Sequence, residues 1–255
     1  MLVKCSDLMT FIYNTPVNFN TPKLSFRSMP VVPQQIQPKK DSFTTNPLYE
    51  GVKNADKIEN LARNNPKIKA IMDKYNLPIK ANTQELSNLQ KGHLKDTRII
   101  VAKMYSALPE ELKKEVDLKQ IQEAAMLHDY GKVLIPQKIL NKKDKLTELE
   151  REIIQQHSEI GYELLQNIDI DEETLNLIKY HHQTPTGNGY PALDKSYKYG
   201  VENEMVSIAD KYSALTENRA YKPAMSKEEA LDVIKEDVAK GIFSQEIYSV
   251  LEKSV

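Results

Sequence analysis

Between His93 and His182 the chain carries all five of its histidines, and each lies in or at the end of a segment whose apolar residues recur every three or four positions. That recurrence is the helical period, so the chain is expected to fold as helices that turn these faces, imidazoles included, toward one another. Ile58, Leu61, Ile68, Ile71 and Met72 mark one face, and Pro66 forces a break, which predicts an accessory helical hairpin over 51–82. A helix over 83–107 aligns Leu86, Leu89, His93, Ile100 and Met104. The next, capped by Asp117, carries Ile121, Ala124, Ala125 and His128 and is expected to end on a left-handed Gly131. Thr147 and Glu150 have the spacing of a capping box, opening a helix with Ile153, His157, Ile160 and Leu164 inward. Asp171 caps a helix with Leu175, Ile178 and His181 on one face, which runs into a loop from Thr184 to Pro191. A helix around 203–217 turns Asp210 toward the core, where a carboxylate needs a partner. Ser226 and Glu229 form a second capping box. No strand-rich region competes, so the fold class is all-α.

Residues 1–50 break this pattern. Six of the thirteen prolines are there, among Asn, Thr, Ser and Gln, and the stretch is expected to be a disordered tail in which Val17/Phe19 and Leu24/Phe26 alternate briefly. With 35 basic and 36 acidic residues the formal net charge is -1, which gives no bulk drive toward long nucleic acid or anionic membrane. Cys5 is the single cysteine, which excludes an intrachain disulfide and a cysteine-based zinc site. No stretch approaches the ~20 apolar residues of a membrane span, and a soluble cytoplasmic protein is expected.

Neutral imidazoles and carboxylates together suit divalent first-row metals. A set with more ligands than one ion uses implies two ions, with Asp129 as the natural bridge. Two ions ~3.5 to 4 Å apart can hold a hydroxide formed from water whose pKa is lowered toward ~7, in line with a phosphodiester phosphorus. His93 taken alone reads first as a packed core residue, the adjacent pairs less so. The ordered set is what points to metal.

His128-Asp129-Tyr130-Gly131-Lys132, then Ile135-Pro136, Leu146-Thr147, His157, His181-His182, Gly189-Tyr190-Pro191, Ala209-Asp210 and Arg219-Ala220-Tyr221-Lys222 follow one another in order. In this series the chain resembles the HD-GYP branch of the HD-domain metal-dependent phosphohydrolases, over roughly 93–243. The resemblance implies a helical HD-domain bundle over 83–255 with a metal centre in its core, usually iron or manganese. It implies a phosphodiesterase that hydrolyses cyclic di-GMP to pGpG or GMP through a hydroxide activated by two divalent ions. Carried over by position, His93, His128, Asp129 and Asp210 serve one metal, and Asp129, His157, His181 and His182 the other. Asp129 and Lys132 are the catalytic pair, with Lys132 near the reacting phosphate. Arg219 and Lys222 match phosphate-binding basic residues, and Gly189 and Tyr190 belong to the substrate loop.

Four positions depart from the family's pattern. Leu89 stands one turn before His93 where some members carry a glutamate for a third metal, and Ser213 stands three after Asp210 where many are acidic. A two-metal centre is therefore expected. Gln183 follows the histidine pair in place of glutamate, and Thr186 precedes Gly187 in place of aspartate. Other readings stay open: an HD phosphohydrolase for another nucleotide, a catalytically slow cyclic-dinucleotide sensor, and a homodimer or a regulatory protein in trans. Lys132 beside Asp129 also reads as a structural ion pair, and glycines 187 and 189 as a tight turn.

Overall fold

The computed structural model describes residues 54–88, 92–217 and 223–255. The expected tail over 1–50, as well as Leu89, Arg219 and Lys222, lies outside the described residues. Helix α1 (Ala55–Asn64) starts on Asn54, whose side chain accepts from Lys57 N–H, and Asn65 ends it. The same Asn65 caps α2 (Pro66–Lys74) by accepting from the Lys67 and Ile68 N–H groups, while Pro66 occupies the first helical position, where no N–H is needed. Two helices meeting at Pro66 thus fill the segment expected as a hairpin.

The helix expected over 83–107 is two, α3 (Thr83–Asn88) and α4 (His93–Ala107). Gly92 at φ 59 interrupts them, a left-handed conformation that only glycine adopts cheaply and that no helix can pass through. His93 therefore starts a helix instead of sitting inside one. Asp117 caps α5 (Leu118–Leu127), as its spacing predicts, and a short 3₁₀ turn follows over Tyr130–Leu134. Helix α6 (Glu148–Gln155) has both bonds of the Thr147/Glu150 capping box, and α7 (His157–Leu165) follows almost without pause. Asp171 caps α8 (Glu172–Tyr180) through the Thr174 N–H. After the long loop come α9 (Val201–Thr216), α10 (Lys227–Ala239), opened by the second capping box, and α11 (Gln245–Ser254). Among the described residues there are no strands, only an isolated antiparallel bridge between His182 and Tyr190.

Helix α4 packs against α5, α9 and α11, and α7 lies on the 3₁₀ turn and on α8, which also touches α5. The predicted apolar stripes meet at these contacts: Ile121, Ile160 and Ile178 are fully buried, each contributing about 1.5 to 3 kcal/mol relative to exposure. Ile58, Ala62, Ile68 and Met72 of the hairpin join the same apolar cluster. Glu163 of α7, itself 3% exposed, anchors the hairpin by accepting from Lys67 Nζ at 2.7 Å and from Asn65 Nδ2 at 2.9 Å. Between α9 and α10, Lys211 and Asp237 form an ion pair at 2.5 Å with both side chains buried. Removing one partner of such a pair would leave an uncompensated charge inside.

A candidate metal centre

Three histidines are oriented by one local device. His128, His157 and His181 each follow the last turn of a helix, where carbonyls lack intrahelical partners. Each Nδ1 lies against one of those carbonyls three residues back: Ala125 at 3.0 Å, Ile154 at 2.6 Å and Ile178 at 2.7 Å. A carbonyl only accepts, so Nδ1 carries the proton and the Nε2 lone pair points away from the helix, as a metal-binding imidazole requires. His93 is held differently, with Nδ1 2.9 Å from Ser213 Oγ and Nε2 2.8 Å from Asp210 Oδ1.

These atoms converge. His157 Nε2 lies 3.3 Å from His181 Nε2 and 3.4 Å from Asp129 Oδ1, and His128 Nε2 lies 3.4 Å from Asp210 Oδ1 and 3.6 Å from Asp129 Oδ2. The His181 and His182 rings are 3.9 Å apart, and the His128 and His181 rings 4.9 Å. Among the described residues three overlapping groups bring their ligand atoms within 4.8 Å of one another: His157/His181/His182, His93/His128/Asp129 and His128/His181/Asp210. All seven expected ligands thus belong to one cluster, and Asp129 turns one oxygen to each half of it.

The electrostatics follow from burial against charge. Burial holds the His157 imidazole down to about 4, helped by Lys132, and burial also drives His181 and His182 well below 6.5, so these rings are neutral. For His128 burial acts in the same sense but is outweighed by the Asp129 and Asp210 carboxylates, which raise it. Burial opposes ionisation of Asp129, yet Lys132, His128 and His157 keep its carboxyl well below the ordinary value; His128 and His93 do the same for Asp210. Lys132 Nζ donates to Asp129 Oδ2 at 2.6 Å, so the ion pair is present, at the edge of the cluster.

A divalent ion fits this donor set. The neutral tautomers of His157 and His181 turn two lone pairs toward each other at 3.3 Å, an arrangement without a hydrogen bond that a shared cation would resolve. The buried Nε2 of His128 likewise has no hydrogen-bond partner.

Glycines set the close approaches. Gly131 is not left-handed, contrary to expectation. Its hydrogen faces the first turn of α7, where a Cβ would lie 1.9 Å from the His157 carbonyl oxygen and 2.5 Å from Gly161 N. Backbone contact between the 3₁₀ turn and α7 is what brings Asp129 to His157. Gly187, at φ 73, has open space around it and serves the turn alone, whereas a Cβ on Gly189 would meet the His182 carbonyl oxygen at 2.1 Å. Tyr190 lies over His182, ring centroids 4.6 Å apart, which places the loop at the mouth of the cluster.

Sequence reasoning missed Glu85. This half-buried carboxyl on α3 is pushed up by burial, with Lys132 opposing and Asp129 assisting. Asn82 pins α3 to the turn that carries Lys132, donating through its N–H to Val133 O at 2.7 Å. Nothing in its short helix announced this, because the packing partner lies some fifty residues on.

A family model described as HD domain matches residues 68–246. A cyclic di-GMP phosphodiesterase of Thermotoga maritima is 36% identical over 146 residues, 55% of this chain and 39% of that protein. The cyclic di-GMP phosphodiesterase response regulator RpfG of Xanthomonas campestris is 39% identical over 120 residues, 46% of this chain and 32% of the relative. A 3'3'-cGAMP-specific phosphodiesterase of Vibrio cholerae is 29% identical over 155 residues, 60% of this chain and 36% of the relative. The chain thus spans less than half the length of each. Among solved structures, Bd1817, an HDG"Y"P protein from Bdellovibrio bacteriovorus, superposes with a TM-score of 0.50 at 20% identity, covering 81% of this chain and 66% of that one, which supports the fold. Among the described residues no helix is long and apolar enough to cross a membrane.

Proposed function

Because the chain belongs to the HD domain family, we propose that it is a metal-dependent phosphodiesterase that hydrolyses cyclic di-GMP to pGpG or GMP. The observation that carries this reading is the facing pair of neutral imidazoles, His157 and His181, inside a cluster whose carboxylate Asp129 turns an oxygen to each half. His93, His128, Asp129 and Asp210 would hold one ion and Asp129, His157, His181 and His182 the other, with iron or manganese suited to mixed imidazole and carboxylate donors. Two such ions, when bound, supply a nucleophile at neutral pH and Lewis acidity toward a phosphoryl oxygen.

The chain's own residues do the rest. Lys132, anchored on Asp129, offers a fixed positive charge beside the cluster, where charge develops on the phosphoryl oxygens in the transition state. Arg219 and Lys222 are assigned to the ligand's phosphates, and Gly189 and Tyr190 to the wall over His182. The Tyr190 ring gives a flat surface for a base, and the absent side chain at Gly189 lets the loop lie directly on the backbone.

The test is hydrolysis by protein reconstituted with iron or manganese, in parallel with a Lys132→Ala variant. Wild type is expected to convert cyclic di-GMP, and the variant to keep its metal and lose on the order of 10² in turnover. Unchanged turnover would return Lys132 to a structural ion pair. A relative named as specific for 3'3'-cGAMP supports a second substrate reading, so the panel includes that dinucleotide. Conversion of 3'3'-cGAMP alone would replace the first assignment.

A further inference from the structure

Gln183 occupies the position where the family pattern has a carboxylate, and its side chain does what a carboxylate cannot. It is 1% exposed, at the start of the loop that returns to cover the metal cluster. Its Oε1 accepts from Gly189 N–H at 3.1 Å and from Thr184 N–H at 3.3 Å, while its Nε2 donates to the Pro191 carbonyl at 2.5 Å. One amide thus grips the loop on both sides of Tyr190 and uses both of its chemical faces. An ionised carboxylate keeps the acceptor and lacks the donor, so at the Pro191 end two acceptor oxygens would be forced together.

The grip fixes where Tyr190 sits. Tyr190 N–H donates to the His182 carbonyl at 3.2 Å, and its ring is tilted 30° to the His182 ring. The missing side chain of Gly189 lets that segment lie against the backbone of His182 and Gln183. Farther along, the loop is held by charge: Asp194 accepts from Tyr180 OH at 2.6 Å and from Lys179 Nζ at 3.0 Å. The far end therefore has its own anchor, and the amide acts on the segment over the cluster together with the Tyr190–His182 backbone bond and the Thr184 hydroxyl, which accepts from Asn188 N–H at 3.2 Å.

We infer that Gln183 is a positioning residue for the nucleotide site, holding Tyr190 over the metal cluster through a neutral donor and acceptor pair. This rests on the reading of the loop as a nucleotide-contacting wall.

The experiment uses the full chain loaded with manganese, comparing wild type with Gln183→Glu, which loses the donor, and Gln183→Met, which loses donor and acceptor at similar size. Three quantities are read: metal content, hydrogen exchange of the peptide spanning 184–192, and the split between KM and kcat for cyclic di-GMP. Both variants are expected to keep their metal and to exchange at least about tenfold faster in that peptide. KM should rise about tenfold or more, with kcat changed by less than about threefold, the pattern of lost uniform binding. Unchanged exchange and KM in both variants would overturn the inference. So would a parallel loss of metal, since Gln183 would then support the scaffold and not the loop. If wild type converts no cyclic dinucleotide, the functional reading fails by itself, and hydrogen exchange still decides whether the amide holds the loop.

Discussion

His128, His157 and His181 are oriented by carbonyls three residues upstream, whereas His93 takes its orientation from Ser213, 120 residues away. The difference separates two ways of building a ligand. A main-chain carbonyl at a helix end cannot be mutated away, so those three imidazoles keep their tautomer whatever side chains surround them. The His93 side of the cluster depends on a hydroxyl that can donate or accept. With His93 Nε2–H donating to Asp210, Nδ1 accepts, and the single Ser213 hydroxyl proton can go to it or to the His93 carbonyl. Were Nε2 to hold an ion, Nδ1 would carry the proton and donate its hydrogen bond to Ser213 Oγ. An acidic residue at this position would favour only the second arrangement.

Asp129 is where the two halves join, and its loss should erase the distinction between them. Asp129→Ala is expected to remove metal from both halves, measured by elemental analysis after anaerobic reconstitution, because among the described residues Asp129 is the carboxylate that reaches both His128 and His157. Retention of the full complement would mean that the halves bind independently. A smaller effect sharpens the comparison. Ser213→Ala should weaken the His93 half by about tenfold, the lower end of what loss of an orienting partner costs, and leave the other half unchanged. Chelator competition would then show one fast and one unaltered release phase, and a single shared phase would break the contrast.

The smallest expected effect is on the metal-free protein in acid. His157 is held at about 4, and His181 and His182 well below 6.5, so the unfolded chain takes up protons on these rings at a pH where the native state does not. Stability should therefore fall as the pH drops from 6.5 toward 4 and be flat in these groups above 6.5. His128, raised by its carboxylates, works against this trend as one ring among four. The contributions of Asp129 and Asp210 are lost only at lower pH, because both carboxyls lie below their ordinary 3.8. Thermal denaturation of chelator-treated protein across that range checks the sign, and a melting temperature that rises on acidification contradicts it.

Much of the fold was legible because its signals are local. The Thr147/Glu150 and Ser226/Glu229 boxes and the caps at Asp117 and Asp171 each lie within four residues of what they satisfy. The helix break at Gly92 was missed because the apolar spacing runs straight across it, and spacing says nothing about φ. Gly131 was misread for a related reason: a glycine that permits a left-handed turn and one that permits a backbone contact look the same in sequence. The cluster's members were visible as an ordered series of histidines and acids. What orients them was not, since carbonyls carry no residue identity and Ser213 meets His93 only through the packing of α4 on α9.

The contact of Gly131 with the His157–Gly161 turn has no side chain in it. The approach of Asp129 to His157 therefore rests on two backbones in direct contact, which any side chain at Gly131 would push apart. Side chains around the cluster can change without altering that contact, so the spacing stays fixed like a gauge block. A lineage carrying this contact can exchange one ligand for another without ever having to rebuild the place where its chemistry is done.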